Sequence, residues 1–294
     1  MRSLEHKIRA GETVVTAELV PPKGTDLSEL FAKAQFLTGC VDAVNLPESP
    51  RALMAMAPTA VARLLLDRGI EALVQITARD RNRIAIQADL LGAAALGIHN
   101  FVFMGGDPPT IGDHPEAKPV FDLTASQMVA AARELTLGHD MSGKPLCGVP
   151  QLFIGATVNP GAADLHAEVV NTRRKLDAGV QFLQTQAIYD VEALGSFLDA
   201  VKSEGVAVLA GVIPLKSVKM ALWLNEKVPG IRVPQPLIRE MERASGTEAE
   251  LEKGIEIAAR TIREVTQVCE GAHVMALGSE LHIPAILRKS GLRG

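Results

Sequence analysis

The chain has 294 residues, of which 47% are hydrophobic and 22% are charged, and its formal net charge is −4. It contains no apolar run of about 20 residues, so no membrane-spanning helix is expected, and the negative charge argues against nucleic acid or an anionic membrane as the main partner. The first residues hold no apolar stretch behind a basic one, so we expect no signal peptide and a cytoplasmic location.

Strands and helices are predicted to alternate along the whole sequence. Short apolar runs predict strands, and apolar residues at helical spacing predict helices between them. The predicted strands cover residues 13–20, 41–46, 71–77, 99–104, 152–157, 180–186, 206–212 and 272–277. The predicted helices cover residues 27–38, 58–68, 81–96, 124–137, 163–176, 191–203, 218–227, 234–244, 248–270 and 281–289. This α/β pattern predicts a (β/α)8 TIM barrel, a single domain over residues 1–294 with extra helices before strand eight.

Several common functional motifs are absent from the sequence. No Gly-x-Gly-x-x-Gly follows the first strand, which disfavours a doubly wound sheet as the alternative fold. Cys40, Cys147 and Cys269 form no CxxC pair, and none of the seven histidines lies in an HExxH or similar spacing. The sequence therefore predicts neither a disulfide framework nor a bound metal.

Polar residues follow most of the predicted strands, where the active site of such a barrel lies. They are Glu18, Asn45, Gln75, Thr77, Asp80, Asp107, Thr157, Asn159, Gln184 and Gln186. Strands seven and eight end in apolar residues. Carboxylates, amides and small polar groups indicate a mouth that orients a neutral, hydrogen-bonding organic molecule rather than a bare metal ion.

Two carboxylates in this set have alternative interpretations. Glu18 is the one charge in an apolar strand, so burial would raise its pKa and make it a proton donor near neutral pH. A strand-end glutamate paired with Arg or Lys is the alternative. Asp107 follows Gly105 and Gly106, which allow a ligand to approach the backbone closely, but it also fits an ordinary turn aspartate.

Two groups of polar side chains are also ambiguous. Gln184 and Gln186 lie on the same side of strand six, either as part of the binding mouth or as core amides satisfied by the backbone. Asn171, Arg174 and Lys175 share a face of the helix after strand five. That face either neutralises a pyrophosphate or is a solvated basic stripe.

Several short segments occur together in an order typical of one family. They are Glu18 before Pro21-Pro22, Ile76-Thr77, Gly106-Asp107 before Pro108, Asn171-Thr-Arg-Arg-Lys175-Leu-Asp-Ala-Gly179, and Thr185-Gln186 followed by Tyr189-Asp190. On these segments the chain resembles the short bacterial methylenetetrahydrofolate reductases, which consist of the catalytic domain alone. The resemblance covers essentially the whole chain.

This resemblance implies a flavin-containing barrel in which reduced flavin donates a hydride to 5,10-methylenetetrahydrofolate, giving 5-methyltetrahydrofolate. It implies that Glu18 is the acid that helps to open the methylene bridge, that Asp107 lies beside flavin and folate, and that Gln186 binds folate, with Gln184 beside it. The expected cofactor-binding residues are Asn45, Gln75, Thr77, Gly105, Gly106, Asp107, Thr157, Glu168, Asn171, Arg174 and Lys175. The implied cofactor is FAD, with NADH or NADPH as electron donor.

The chain also departs from the pattern of the better-known members. Gly105 stands where they carry arginine, Glu168 where they carry aspartate, and Val218 where an aromatic residue stacks on folate or nicotinamide. These changes leave FMN open as the cofactor and a partner redox protein open as the electron donor. A homo-oligomer is also left open as the working form. The alternative functions are a corrinoid-linked methyltetrahydrofolate methyltransferase on the same barrel and a donor-dependent subunit of a larger redox complex.

Overall fold

A computed structural model describes residues 3–202, 205–244 and 246–293 of the chain. Its strands are β1 (Val14–Glu18), β2 (Ala43–Leu46), β3 (Ala72–Thr77), β4 (Asn100–Met104), β5 (Phe153–Val158), β6 (Phe182–Ala187), β7 (Ala207–Val212) and β8 (Gly271–Val274). Its helices are α1 (Leu4–Arg9), α2 (Ser28–Leu37), α3 (Pro58–Leu66), α4 (Arg83–Ala95), α5 (Ala125–Thr136), α6 (Leu165–Asp177), α7 (Val191–Val201), α8 (Val218–Lys227), α9 (Gln235–Glu242), α10 (Thr247–Val265) and α11 (Ile283–Ser290).

The eight strands pair in parallel and in sequence order to close a barrel. β1 pairs with β2 on one side and with β8 on the other, so that Thr16 is aligned with both Ala43 and His273. Parallel neighbours need a crossover connection, which the helices between the strands supply. The predicted (β/α)8 barrel is confirmed.

The interior of the barrel changes from apolar to polar along the strands. Every second residue of a strand points inward. The layers near the amino ends consist of Leu4, Val14, Ala43, Leu73, Val102, Phe153, Phe182, Ala207 and Leu209. Two residues further along, β1, β2, β3, β6 and β8 carry buried polar side chains, which are Thr16, Asn45, Gln75, Gln184 and His273. This polar layer is the floor on which a site can be built.

The helix α1 was not predicted from the sequence. Ser3 caps it, accepting a hydrogen bond from the His6 backbone N–H at 3.3 Å, and its fully buried residue Leu4 closes the amino end of the barrel. Lys7 of the same helix and Arg293 each form a salt bridge of 2.6 Å with Asp42, just before β2. Residues far apart in the sequence are therefore joined at one buried carboxylate.

Two predicted boundaries near the carboxyl end are wrong. The helix predicted at 248–270 ends at Val265 in α10, and the strand predicted at 272–277 is β8, Gly271–Val274. The strand ends there because its pairing with β7 stops at Val274 and the chain turns at Leu277, whose φ is 47°. For the helix predicted at 191–203, Ser203 lies outside the described residues.

The described helices differ in length and in apolar character. None of them is long and apolar enough to cross a membrane.

Candidate active site

A cleft of about 660 Å³ opens at the carboxyl ends of the strands. Its volume is typical of small-molecule sites. The predicted site residues that line it are Glu18, Gln75, Gly105, Gly106, Asp107, Thr157, Glu168, Asn171, Lys175, Gln184 and Gln186. The structure therefore brings most of the predicted residues to one place, while Asn45, Thr77 and Arg174 lie outside this lining.

A larger cavity, of about 1210 Å³, lies at the opposite end of the barrel. Residues near the amino ends of β5 to β8 line it, together with the last turns of α5 and α6. In this fold active sites lie at the carboxyl ends of the strands, whereas the amino ends serve stability. Of the inward polar side chains of the barrel, Gln75, Gln184 and His273 line the smaller cleft, and we assign the site to it.

Glu18 is the last residue of β1, and its side chain is 13% exposed. Burial and, secondarily, the negative charge of Glu280 raise the pKa of Glu18 to about 7. Within the described ranges the basic group near its carboxylate is His273, whose Nε2 lies 3.9 Å from Oε2. Among the described residues no Arg or Lys forms a salt bridge with Glu18, so the alternative of a strand-end glutamate paired with Arg or Lys is wrong. Glu18 is a buried acid with its proton available near neutral pH.

His273 of β8 is a site residue that the sequence analysis missed. Its Nδ1 lies 2.8 Å from Thr16 Oγ1 and its Nε2 lies 3.5 Å from Asn45 Nδ2. Burial lowers the pKa of His273 to about 4, so the imidazole is neutral at pH 7. Strand eight was predicted to end apolar because its predicted range ran to Leu277. The available signal was that His273 is the one polar residue in that range, two residues beyond the inward-facing Gly271.

Asn45 and Thr77 lie next to the cleft without lining it. Asn45 is fully buried, and its Oδ1 has no hydrogen-bond partner within the described part of the chain. The backbone N–H and the hydroxyl of Thr77 both donate to Glu48 Oε2, at 2.7 and 2.9 Å. Thr77 thus anchors the loop after β2, and its binding of a cofactor stays a prediction.

The two glutamines of β6 differ in their hydrogen bonding. Gln184 is 2% exposed, and neither its Oε1 nor its Nε2 has a hydrogen-bond partner among the residues that the structure describes. Gln186 Oε1 accepts a hydrogen bond from the backbone N–H of Ala187 at 3.0 Å. A buried amide without partners is unfavourable unless a ligand or water binds it. The interpretation as a core amide satisfied by the backbone is therefore wrong for Gln184.

Asp107 is held at the mouth of the cleft by the loop after β2. Its Oδ2 accepts a hydrogen bond from the backbone N–H of Arg51 at 3.1 Å. Gly106 has a φ of +86°, and a Cβ there would lie 2.8 Å from Thr77 Cβ, so glycine is required. A Cβ at Gly105 would meet nothing within 4 Å, so the space beside Asp107 is open.

The helix α6 contributes a carboxylate and an ammonium group to the cleft. Glu168 accepts hydrogen bonds from the Asn159 backbone N–H at 2.9 Å and from Asn171 Nδ2 at 3.1 Å. Lys175 is 3% exposed and donates to the Thr157 carbonyl at 2.7 Å, and burial lowers its pKa. Arg174 is exposed. Of the two cations on the predicted basic face, Lys175 therefore lies in the cleft and Arg174 is exposed to solvent.

The described lining fits the ring of a flavin better than a diphosphate. The ring carries an imide whose N–H and C=O groups match the unpartnered amide of Gln184, and there is open space at Gly105. For a phosphate the described lining offers one cation, Lys175, against the carboxylates of Glu18, Asp107 and Glu168. No cluster of His, Cys, Asp and Glu that could hold a metal ion occurs among the residues that were described.

Comparison with known proteins finds one family along most of the sequence. The family model described as methylenetetrahydrofolate reductase matches residues 3–291. Methylenetetrahydrofolate reductase 2 of Schizosaccharomyces pombe is 24% identical over 234 residues, which cover 76% of this chain and 36% of that protein. The 5,10-methylenetetrahydrofolate reductase of Pectobacterium carotovorum subsp. carotovorum is 26% identical over 235 residues, covering 74% and 71%. The match thus spans about a third of the yeast protein.

Solved structures share the barrel at low sequence identity. An uncharacterized protein from Clostridium thermocellum, described as binding two copies of 5-methyl-5,6,7,8-tetrahydrofolic acid, is 16% identical. It aligns with a TM-score of 0.66 over 98% of both chains. At this identity the likeness shows the fold alone.

Proposed function

The chain belongs to the methylenetetrahydrofolate reductase family, an oxidoreductase family, and we propose that it reduces 5,10-methylenetetrahydrofolate to 5-methyltetrahydrofolate. The observation that carries the proposal is Glu18, a buried carboxylic acid with a pKa raised to about 7. It lines the same cleft as the carboxylate of Asp107. The Clostridium protein with this fold, which is described as binding the proposed product, also supports the proposal.

The reaction needs a proton before it needs a hydride. When one carbon–nitrogen bond of the methylene bridge breaks, the leaving nitrogen takes up a proton and the other nitrogen forms a cationic iminium. Glu18 donates that proton from its carboxyl group and becomes a carboxylate, which solvent then reprotonates. Asp107, held by the Arg51 backbone, supplies a fixed negative charge that stabilises the developing cation.

The hydride is proposed to come from a flavin in the same cleft. When bound, a reduced flavin supplies a hydride to the iminium carbon. In this chain Gln184 would bind the ring, Gly105 and Gly106 would give it room, and Lys175 would face a phosphate. We propose FAD as the cofactor, with FMN the alternative because the described lining offers one cation, and NADH or NADPH as the electron donor.

The proposal also covers the chain as a whole. We propose that residues 1–294 act as one catalytic domain, since the barrel uses strands from the whole sequence. We further propose a cytoplasmic location, because Cys40, Cys147 and Cys269 are all free thiols, as is typical of a reducing compartment.

Turnover of the purified chain tests this function. The chain is incubated with 5,10-methylenetetrahydrofolate, FAD and either NADH or NADPH, and 5-methyltetrahydrofolate is measured by mass spectrometry. We expect product that depends on both the nucleotide and the flavin. A second incubation supplies FMN, and a third replaces the nucleotide with an artificial reductant. Product in the third alone indicates a donor-dependent subunit of a redox complex.

The other alternative is tested with the product as methyl donor. The chain is incubated with 5-methyltetrahydrofolate and a reduced corrinoid, without flavin. Methyl transfer to the corrinoid, together with no reduction in the previous incubations, would replace the reductase by a methyltransferase.

A further inference from the structure

His273 lies beside Glu18 on the floor of the cleft, and the proposed mechanism does not use it. The imidazole is 2% exposed. Its Nδ1 lies 2.8 Å from Thr16 Oγ1, and its Nε2 lies 3.5 Å from Asn45 Nδ2. The same Nε2 lies 3.9 Å from Glu18 Oε2. The ring is thus fixed by two strands of the barrel, β1 and β2, and one of its nitrogens faces the acid.

The orientation of the Asn45 amide determines which ring nitrogen carries the proton, because the roles of both ring nitrogens depend on the tautomer. With Nδ2 of Asn45 facing the ring, the amide can only donate in this contact, so Nε2 of His273 is the acceptor. A neutral imidazole has a single N–H, which then lies on Nδ1 and donates to Thr16 Oγ1. The lone pair of Nε2 is therefore on the side that Asn45 and Glu18 share.

A lone pair in that position favours the neutral form of Glu18. The protonated carboxyl can donate its O–H to Nε2 after a small side-chain rotation, whereas a carboxylate would be repelled. In water a glutamate is a stronger acid than imidazolium, so the proton would reside on the histidine. Burial reverses this order, with a pKa of about 7 for Glu18 and about 4 for His273, because a dry site penalises separated charges.

We propose that His273 is a positioning residue that acts through Glu18: fixed by Thr16 and Asn45, its Nε2 orients the carboxyl group and keeps the proton on the oxygen that delivers it. The inference rests on the proposed function only in naming the group that accepts the proton from Glu18, which is the leaving nitrogen of the methylene bridge.

Other charged groups also act on Glu18. Glu280, which follows β8, disfavours its carboxylate form, and Lys33 of α2 partly offsets this because its Nζ lies 3.3 Å from Glu280 Oε2. Across the cleft, Asp107 and Glu168 add negative charge and Lys175 adds positive charge. The variants that test the proposal leave all five of these groups unchanged.

Infrared titration of Glu18 tests the proposal without any turnover. The C=O stretch of the protonated carboxyl is assigned as the difference between the parent protein and Glu18→Gln, and its pH midpoint is expected near 7. His273→Leu is expected to lower the midpoint by about one pH unit, the scale of one hydrogen bond, because the acid loses its acceptor. Thr16→Val is expected to lower the midpoint by a smaller amount, because the loss of the Thr16 hydroxyl allows the imidazole to change tautomer.

A matched control and a rescue variant distinguish the effect of His273 on Glu18 from a general effect of altering a buried side chain. Thr172→Val makes the same isosteric change at a fully buried threonine of α6, and the midpoint should stay at the parental value. His273→Gln restores a neutral acceptor at the same position and should recover most of the shift. In the turnover assay the fall of kcat/KM at high pH should move with the infrared midpoint in each variant.

The outcomes are distinguishable. A folded His273→Leu protein with a parental midpoint would overturn the inference. If His273→Leu does not fold, a parental midpoint in Thr16→Val would overturn it equally. If the midpoints shift as expected but no protein, the parent included, reduces 5,10-methylenetetrahydrofolate, the proposed function fails and the role of His273 towards Glu18 is upheld.

Discussion

Two buried carboxylates lie at opposite ends of neighbouring strands of this barrel. Asp42, just before β2, forms salt bridges of 2.6 Å with Lys7 and Arg293 and accepts the Val15 backbone N–H at 2.7 Å. Glu18, the last residue of β1, has neutral His273 at 3.9 Å as its nearest basic group in the part of the chain that the structure describes. One carboxylate is paired with two cations, and the other is left with a proton.

This difference indicates that one carboxylate serves the stability of the fold and the other serves proton transfer. A buried carboxylate that is fully paired holds its neighbours together, and losing it leaves other charges buried without partners. A buried carboxylate without a cation destabilises the fold but gains a pKa near neutrality, which proton transfer requires. The amino end of the barrel is therefore predicted to respond to mutation by unfolding, and the carboxyl end by losing activity.

The largest effect is expected for Glu18→Gln. Turnover of 5,10-methylenetetrahydrofolate should fall by about 100- to 10,000-fold, the range for loss of a general acid, while the thermal midpoint of unfolding stays the same or rises. Bound flavin should still be reduced by NADH or NADPH, which serves as the internal control. Normal folate turnover in this variant would remove Glu18 from the mechanism.

The complementary change at the other end is Asp42→Asn. The free energy of unfolding should fall by about 3 kcal/mol, the lower end for a buried ion pair, because the partly exposed Lys7 and Arg293 lose their shared buried partner, and kcat should be unchanged in the protein that remains folded. Chemical denaturation measures this. Asp67→Asn, which breaks the exposed pair with Arg63, is the control, with an expected loss of at most about 1 kcal/mol. Equal losses in the two variants would contradict the comparison.

Asp107→Asn tests the second carboxylate of the cleft. Folate reduction should slow by about 10- to 100-fold, somewhat less than for a donor aimed directly at an oxyanion, and flavin reduction should slow less. Stopped-flow measurement of each half-reaction distinguishes them. Asp113→Asn changes a nearby carboxylate that binds Lys23 and the Met54 backbone instead, and it should slow neither. Equal slowing of the two half-reactions by Asp107→Asn would argue against a role in stabilising the iminium.

The last expected effect is a pH dependence of stability. The pKa of Glu18 is raised from its ordinary value of 4.5 to about 7 in the folded protein, so the folded state holds this proton where the unfolded state has lost it. The contribution of Glu18 is therefore most favourable below about pH 4.5 and is lost as the pH rises through 7. Chemical denaturation of the parent and of Glu18→Gln is measured from pH 4.5 to pH 7. The free energy of unfolding should fall across this range because of Glu18 deprotonation in the parent alone. Parallel curves of unfolding free energy against pH would show that Glu18 does not keep its proton in the folded protein over this range.

The barrel and most of the cleft could be predicted because the signals are local. Strand and helix periodicity gave the fold, and the residue at each strand's carboxyl end identified Glu18, Gln75 and Gln184. His273 was missed because it lies inside the strand predicted at 272–277 rather than at its end, and its partner Thr16 is 257 residues away in the sequence. The closure of β1 on β8 brings them together.

The same limit explains the other differences. Thr77 follows the expected pattern of a site residue, yet its hydrogen bonds go to Glu48, on a loop from another strand. Arg174 and Lys175 are neighbours in the sequence but differ in burial, because the sequence pattern does not show which side of α6 faces the cleft. Long-range contacts therefore determined which polar residues reach the site.

The source of the proton can be measured in a single turnover. Enzyme carrying reduced flavin is mixed with 5,10-methylenetetrahydrofolate at a series of pH values, and formation of 5-methyltetrahydrofolate is followed in the parent and in Glu18→Gln. The parent rate should fall about tenfold per pH unit above pH 7, as Glu18 loses its proton, and the rate of Glu18→Gln should be low and independent of pH. The same fall with pH in both proteins would show that the proton comes from another group.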